Sequence, residues 1–550
     1  VKRHRDGNRL AFIAGPEQAQ DHFRRGIDII ADMLAPTLGP TGAIVANQHR
    51  PDRAPELLDD AATAARRVLS LGDQRLDVGA MLLRNLVWRV TGQVGDGGAT
   101  TALLARALYR ECLKLVQTGV NPVHLADGVR QAAAAVIAHL STQSRPVRQP
   151  DELSAVALAA VREPDLAAVL GEMAYLLGPD ARVNVERYVA AYLESEFFPG
   201  VNYEAEIASY HLYTHPHLKR AIHSACAVAL LDEQLLRVPQ AVRLLEAAVA
   251  RGDKSLLILA HGFRDEALHV LTRNQNEKES KIKVVAATLK LLGDERQHAF
   301  EDLALLTGAS LLGRGPSALH QIDYAQSADL GRAQRVEVGT QRLQLIPFHT
   351  NAGAVQVRIA QIRQRLDHLP HDDAEHPKLT RRLAALNGGM GVIKVGAPTE
   401  AEREVRAKAA ERGMKALSAA QKGGVLPGAG AALARCAPAL APLLADPSLR
   451  EEVRMGVQAM SRILDVPLRQ ILRNAGEESP GGVAFRIQEA GDFTTYDALT
   501  GQVVDGWQAG VLDPADVVIA TLRVAVSGAM MALSTDTIVY HSNPERKMEP

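Results

Sequence analysis

"GQVGDGGATTALLARALYRECLKL", residues 92–115, is a glycine loop that runs without a break into an amphipathic helix. Glycine lets the backbone approach a ligand closely. A helix that starts immediately afterwards points its free N–H groups and the positive end of its dipole at whatever sits in the loop. Gly95, Gly97, Gly98, Ala99 and Thr100 therefore read as a phosphate cradle. Asp96 would be repelled by phosphate unless a divalent cation lay between them, so it reads as a magnesium ligand. A turn joining two helices without any ligand is compatible with the same residues.

The surrounding sequence is helical. In "DHFRRGIDIIADMLAP" (21–36), Phe23, Ile27, Ile30 and Leu34 recur at helical spacing, and the helix must stop before Pro36. "TLGPTG" (37–42) is a glycine-proline turn. "AATAARRVLSL" (61–71) is entered by Asp59-Asp60, and "VGAMLLRNLVWRV" (78–90) leads into the loop. The first 140 or so residues thus read as nearly all helical. The middle changes character. "SACAVALL" (224–231), "SLLILA" (255–260) and "KIKVVAATL" (281–289) are apolar runs of strand type, separated by the helical "PQAVRLLEAAVARG" (239–252) and "RDEALHVLTRNQ" (264–275). That alternation predicts a parallel sheet with covering helices over about 225–290. Residues 392–430 read as a strand, a long charged helix and a glycine turn, after which the chain is Ala-rich and helical again. The simplest account is a helical body built from both chain ends around an α/β insertion.

Composition narrows the function. With 550 residues the chain is long enough for two to four domains. Hydrophobic residues make up 47% but aromatics only 4%, so the cores must be built from Ala, Leu and Val. A net charge of -1 supplies no global field for nucleic acid or an anionic membrane, so neither is expected as a partner. The basic start "VKRHR" reads as a solvated terminus and the end, "YHSNPERKMEP", as frayed. No stretch is expected to span a membrane, since Arg523 and Ser527 interrupt Val517–Leu533, and no signal peptide is visible. Cys112, Cys226 and Cys436 stand far apart without a C-x-x-C, which suits core thiols in a reducing cytoplasm. His211, His215 and His217, and likewise His368, His371 and His376, lie near proline turns and read as surface histidines rather than metal ligands.

Several of these pieces, in this order, resemble the GroEL family, the group I chaperonins. "TLGPTG" is similar to that family's TLGPKG, "GDGGATTALLA" to GDGTTTATVLA, "LPGAGAAL" (426–433) to VAGGGVAL, "VIKVGAPTE" (392–400) to VIKVGAATE and "AGVLDP" (509–514) to MGILDP. "RIAQIRQRL" (358–366) and "LNGGMGVIKVG" (386–396) are further matches, and the resemblance runs from about residue 20 to 540. It implies a multidomain α and α/β chaperonin fold. The helical equatorial domain would comprise 1–142 and 423–550, the intermediate hinge domain 143–198 and 391–422, and the α/β apical domain 199–390. It also implies ATP and Mg2+ as cofactors, with K+ as a further candidate ion. Thr37, Leu38, Gly39 and Pro40 would form the first nucleotide loop, Gly95, Asp96, Gly97, Gly98, Ala99 and Thr100 the phosphate and magnesium site, and Gly428, Ala498 and Asp513 the contacts to base and ribose. Asp60 would lie near the attacking water. Implied partners are copies of the chain in a seven-subunit ring, unfolded client proteins and, as candidates, a GroES-like lid and a paralogous chaperonin.

The sequence departs from the family where chemistry is expected. In the gap-free register between "VGAPTE" and "GAGAAL", the family's catalytic aspartate falls on Arg412. Glu411 is one helical step away, turned by about 100°, and cannot deputise. Hydroxyl donors and a lysine are also lost, at Thr41, Gly98 and Ala99, and Ala61 replaces a glycine. These changes predict an ATP-binding protein that hydrolyses slowly; the alternative is that Asp60 suffices while Arg412 swings out to solvent. The positions matching the family's client and lid surface are Ile207, His211, Leu212, Val242, Leu245, Leu268, Leu271, Thr272 and Arg273. Aromatic residues are missing there and Arg273 adds a charge, which lowers the apolar area available to a client; Leu268 and Leu271 also read as ordinary core positions. A scaffold with the fold but no folding activity, and a regulatory subunit of mixed rings, are the other two readings.

Overall fold

In the computed structural model, the described residues are 12–48, 55–58, 60–147, 149–179, 182–190, 192–276, 280–315, 318–348, 352–369, 373, 375–386 and 389–540. The basic start, Asp59, His371, Glu277–Glu279 and the C-terminal "HSNPERKMEP" lie outside them. The chain forms two compact units, Val1–Pro179 with Ala397–Pro550, and Asp180–Gly396. Of the segments expected to form a hinge, the helices fall in the first unit and the strands in the second.

The first unit is a helical body. Its centre is the apolar helix Ala515–Leu533, which packs against Gly98–Gln117, Gln74–Val94 and Pro122–Gln143. By length and composition alone Ala515–Leu533 is apolar enough to cross a membrane, although the sequence reads as a buried helix there. Two thirds of its most apolar window (67%) is buried in the protein. The core is Ala, Leu and Val-rich, as the shortage of aromatics requires, with Tyr109 its largest fully buried side chain. Small strands interrupt the helices. Phe12–Ala14 pairs antiparallel with Ile538–Tyr540, so the two ends of the chain close on each other, and Val45–Asn47 forms a ladder with Glu56–Leu58. Near the cavity described below, Val425–Pro427 pairs with Leu512–Pro514, and Thr494–Asp497 with Gln502–Asp505. The charged stretch forms the helix Glu400–Gly423, capped by Thr399, whose hydroxyl accepts from the Glu402 N–H, and ended at Gly424 in a φ of 78°.

The second unit holds the expected parallel strands, Ala221–Leu231, Ser255–Leu259 and Lys283–Leu289, crossed over by helices Val238–Arg251 and Asp265–Asn276. The sheet does not stop there. Val201–Ile207, Arg342–Pro347 and Gly331–Val338 continue it antiparallel and return to Ala221–Leu231, closing it into a barrel-like ring of strands. A separate sheet places Gly389–Gly396 between Arg182–Tyr188 and Leu193–Pro199. Cys112, Cys226 and Cys436 are free and buried, and burial pushes each thiol up to about 12.

Candidate functional site

The first unit contains a cavity of about 300 Å³. Its walls come from stretches far apart in sequence, and four pieces of local chemistry build it. Ala35–Thr37 is a single 3-10 turn held by the Thr37 hydroxyl donating to Leu34 O at 2.7 Å and by Asn474, whose side-chain amide donates to Ala35 O and Leu38 O at 2.9 and 2.8 Å. Asp60 caps the helix Ala61–Arg67, its carboxylate accepting from the Thr63 N–H at 2.8 Å and the Thr63 hydroxyl at 2.6 Å. The helix Gly98–Gln117 starts at Gly97, whose φ of 86° turns the chain sharply and which, lacking a side chain, provides no capping acceptor; the first turn is open to a ligand. The short ladder Val425–Pro427 with Leu512–Pro514 sets Leu426 opposite Asp513.

Thr37, Leu38, Gly39, Pro40, Asp60, Asp96, Gly97, Gly98, Ala99, Thr100, Arg412, Ala498 and Asp513 all line this one cavity. Two residues from the sequence reading are placed differently. Gly95 is among the residues behind the wall: a Cβ there would lie 2.6 Å from Lys415 Cβ and 2.8 Å from Arg412 O, so its glycine serves the close approach of the helix Glu400–Gly423. Gly428 also sits behind it, its N–H donating to Val511 O and its carbonyl accepting from the Thr495 hydroxyl at 2.7 Å.

The cavity is strongly charged. Asp96 is exposed to the cavity, and desolvation by the protein around it raises its carboxyl above the usual range. The Gly97 N–H, at 2.7 Å, and Arg412 pull it back, while Asp60 pushes the same way as burial. Asp513 is pushed up to about 7 by burial and then by the charge of Asp96. Arg412 does not swing out to solvent. Its Nε lies 3.9 Å from Asp60 Oδ1, with 19% of the side chain exposed, whereas Glu411 is exposed. Sequence reasoning missed Arg162, Tyr496, Asp497 and Gly430, which also line the cavity. No local signal marks Arg162; its place depends on a hydrogen bond to Thr37 O across 125 positions.

The residues fit a nucleotide with a divalent cation. The uncapped helix start and positive-φ Gly39 and Gly97 suit phosphate, and Asp96 offers an accessible carboxylate to a cation. Among the described residues no cluster of three or more His, Cys, Asp or Glu could hold a metal without such a ligand. His211, His215, His217 and His368 are exposed.

In the second unit, His211 is exposed and Ile207, Val242, Leu245 and Leu268 are half-buried. Leu212 and Leu271 are not part of any surface: both are fully buried, packed with Leu244, Ile258 and Val284 on one side of the sheet. Their expected contact with clients or a lid is corrected accordingly, because helix Asp265–Asn276 turns that edge onto its own sheet. Arg273 is exposed.

A model of the TCP-1/cpn60 chaperonin family matches residues 30–543. Among solved structures, the chain is similar to the chaperonin gp146 from the bacteriophage EL 2 (Pseudomonas aeruginosa) in the presence of ATP-BeFx. Crystal form I matches with a TM-score of 0.69 at 16% identity, over 96% of this chain and 99% of that one. Crystal form II matches with a TM-score of 0.61 at 17% identity, over 97% and 99%.

Proposed function

The chain belongs to the TCP-1/cpn60 chaperonin family, and from that premise we propose that it is a ring-forming subunit that binds ATP in the cavity around Asp96 and hydrolyses it slowly while holding or enclosing unfolded proteins. The helical body formed by the two chain ends is the equatorial domain, the barrel-like unit carries the apical domain, and 143–198 with 391–422 are the hinge segments. Thr37–Pro40 and the Gly97–Thr100 cradle take the phosphates, Ala498 and Asp513 the base and ribose. Asp96 holds magnesium, which when bound neutralises phosphate charge. Asp60 orients water.

One observation carries the slow-hydrolysis reading: a guanidinium, not a carboxylate, reaches into the cavity from the helix Glu400–Gly423 and faces Asp60 at 3.9 Å. Arg412 cannot take a proton from water, and its charge favours phosphate oxygens through a planar fork. Its pairing with Asp60 also draws on the acid assigned to orient water. Losing a general base lowers a rate by about 10²–10⁴-fold. The test is ATP binding and turnover by the purified protein beside Arg412→Asp. Tight binding with negligible turnover, restored by the aspartate, supports the proposal. Brisk turnover by the unmodified protein overturns the slow-hydrolysis part, and absence of binding overturns the nucleotide part.

A second reading, a ring scaffold without folding activity, is favoured by the burial of Leu212 and Leu271 together with exposed Arg273, which leave fewer apolar side chains for a client. Protection of a chemically denatured enzyme from aggregation separates the two; no protection at equimolar subunits selects the scaffold.

A further inference from the structure

Arg162 projects to the same cavity from a different element and belongs to none of the motifs that the sequence offers there. It ends the helix Pro150–Val161 in a left-handed conformation, φ 60° and ψ 9°, which glycine or asparagine adopts far more readily than arginine. Its guanidinium donates to the Thr37 carbonyl at 2.9 Å, a single neutral acceptor for a group with five N–H donors. The neighbouring acid does not neutralise it, because Glu163 is engaged by Arg406 Nε at 2.9 Å.

Arg162 and Arg412 are carried by two packed elements, the helix Pro150–Val161 and the helix Glu400–Gly423. The helix Glu400–Gly423 meets Val161 through Gly413, where a Cβ would lie 2.8 Å from both Val161 Cγ1 and Leu170 Cδ1. Arg162 and Arg412 both line the cavity, the first with its guanidinium at Thr37 O and the second with its Nε facing Asp60. Two guanidinium groups thus converge on a space that already contains an uncapped helix start. Both also act on the Asp96 carboxyl, pulling it down against desolvation.

We propose that Arg162 is a specificity-determining residue for the polyphosphate: it tethers the Thr37–Pro40 turn by one N–H and binds a phosphate oxygen of the nucleotide with its remaining donors, compensating for the hydroxyl groups absent at Gly98 and Ala99. This rests on the reading of the cavity as a nucleotide site. The two arginines supply positive charge independently of a divalent cation, so the contribution of Arg162 persists when the metal is removed.

The experiment uses the full chain and a fluorescent ATP analogue, displaced by ATP, by inorganic tripolyphosphate and by adenosine, with Mg2+ and again with EDTA. Arg162→Ala is expected to weaken ATP and tripolyphosphate about tenfold or more in both conditions, with adenosine unchanged and partial recovery in Arg162→Lys. Arg162→Gly, which suits the left-handed backbone, is a second variant with the same expected loss and guards against a folding defect. Equal weakening of adenosine and tripolyphosphate assigns Arg162 a tethering role alone and overturns the proposal. So does unchanged tripolyphosphate binding in both variants, and in that case ATP binding by the parent leaves the nucleotide site standing. If the parent binds none of the three ligands, the nucleotide reading falls and this inference with it.

Discussion

Arg412 sits on a helix that runs unbroken from Glu400 to Gly423 under its Thr399 cap. A different residue-scale effect governs acid stability. His223, on the strand Ala221–Leu231, is buried, and burial lowers its pKa to about 4, with the charge of Lys283 acting the same way. Its value in the unfolded chain is about 6.5. Between the two, the unfolded chain binds a proton that the folded one does not. The stability is therefore fully present above about pH 6.5 and is lost as pH falls towards 4, by about 3 kcal/mol at most. Denaturant midpoints measured from pH 7 to pH 4 should fall less for His223→Leu than for the parent. Parallel curves would exclude His223 as the source. The three thiols, each pushed up to about 12, should remain unlabelled by a disulfide reagent at pH 8 in the native protein and react fully once it is unfolded.

At the scale of elements, what holds two pieces of structure together decides what each substitution does. Asp302 on the helix Gly293–Thr307 is wholly buried and receives two hydrogen bonds from Arg382 on the helix His376–Leu386, at 2.5 and 2.8 Å. Burial raises the Asp302 carboxyl, and the arginine counters it. Asp302→Ala should cost about 3 kcal/mol because it removes the closest partner of the largely buried Arg382 and leaves it only Glu301 at 3.8 Å, whereas Asp302→Leu with Arg382→Leu should cost much less. A double-mutant cycle by denaturant unfolding checks this, and equal losses would refute it. Gly95→Ala should cost about 1–3 kcal/mol and also weaken nucleotide binding, because its methyl would press on the backbone of Arg412. The parallel strands were legible as continuous apolar runs, since both of their faces are covered. Gly331–Val338 was not. Its inward positions are broken by a register shift between Ala333 and Arg335, which spoils the period-two pattern by which a strand is recognised.

For the whole molecule, family membership makes the ring the state to test. Native mass spectrometry at micromolar subunit concentration should give a closed ring, isologous dimers being the commoner alternative among oligomers. A monomer would remove enclosure of clients from the proposed function.

By itself the sequence determined much of what depends on neighbours along the chain. It placed the glycine loop before Gly98–Gln117, the turn at 37–40, the acid cap at Asp60, the apolar parallel strands, and an arginine on the helix where an acid was expected. Only the tertiary structure decided which of these meet. It drew Thr37, Asp60, Asp96, Arg412 and Asp513 around one cavity, added Arg162, left Gly95 and Gly428 behind the wall, and buried Leu212 and Leu271. The physical reason is that a turn, a cap or a helical period is set by backbone sterics and hydrogen bonds within a few residues. The facing of two side chains 125 positions apart is set by which helix surfaces exclude water together, and closely similar local patterns satisfy many such pairings.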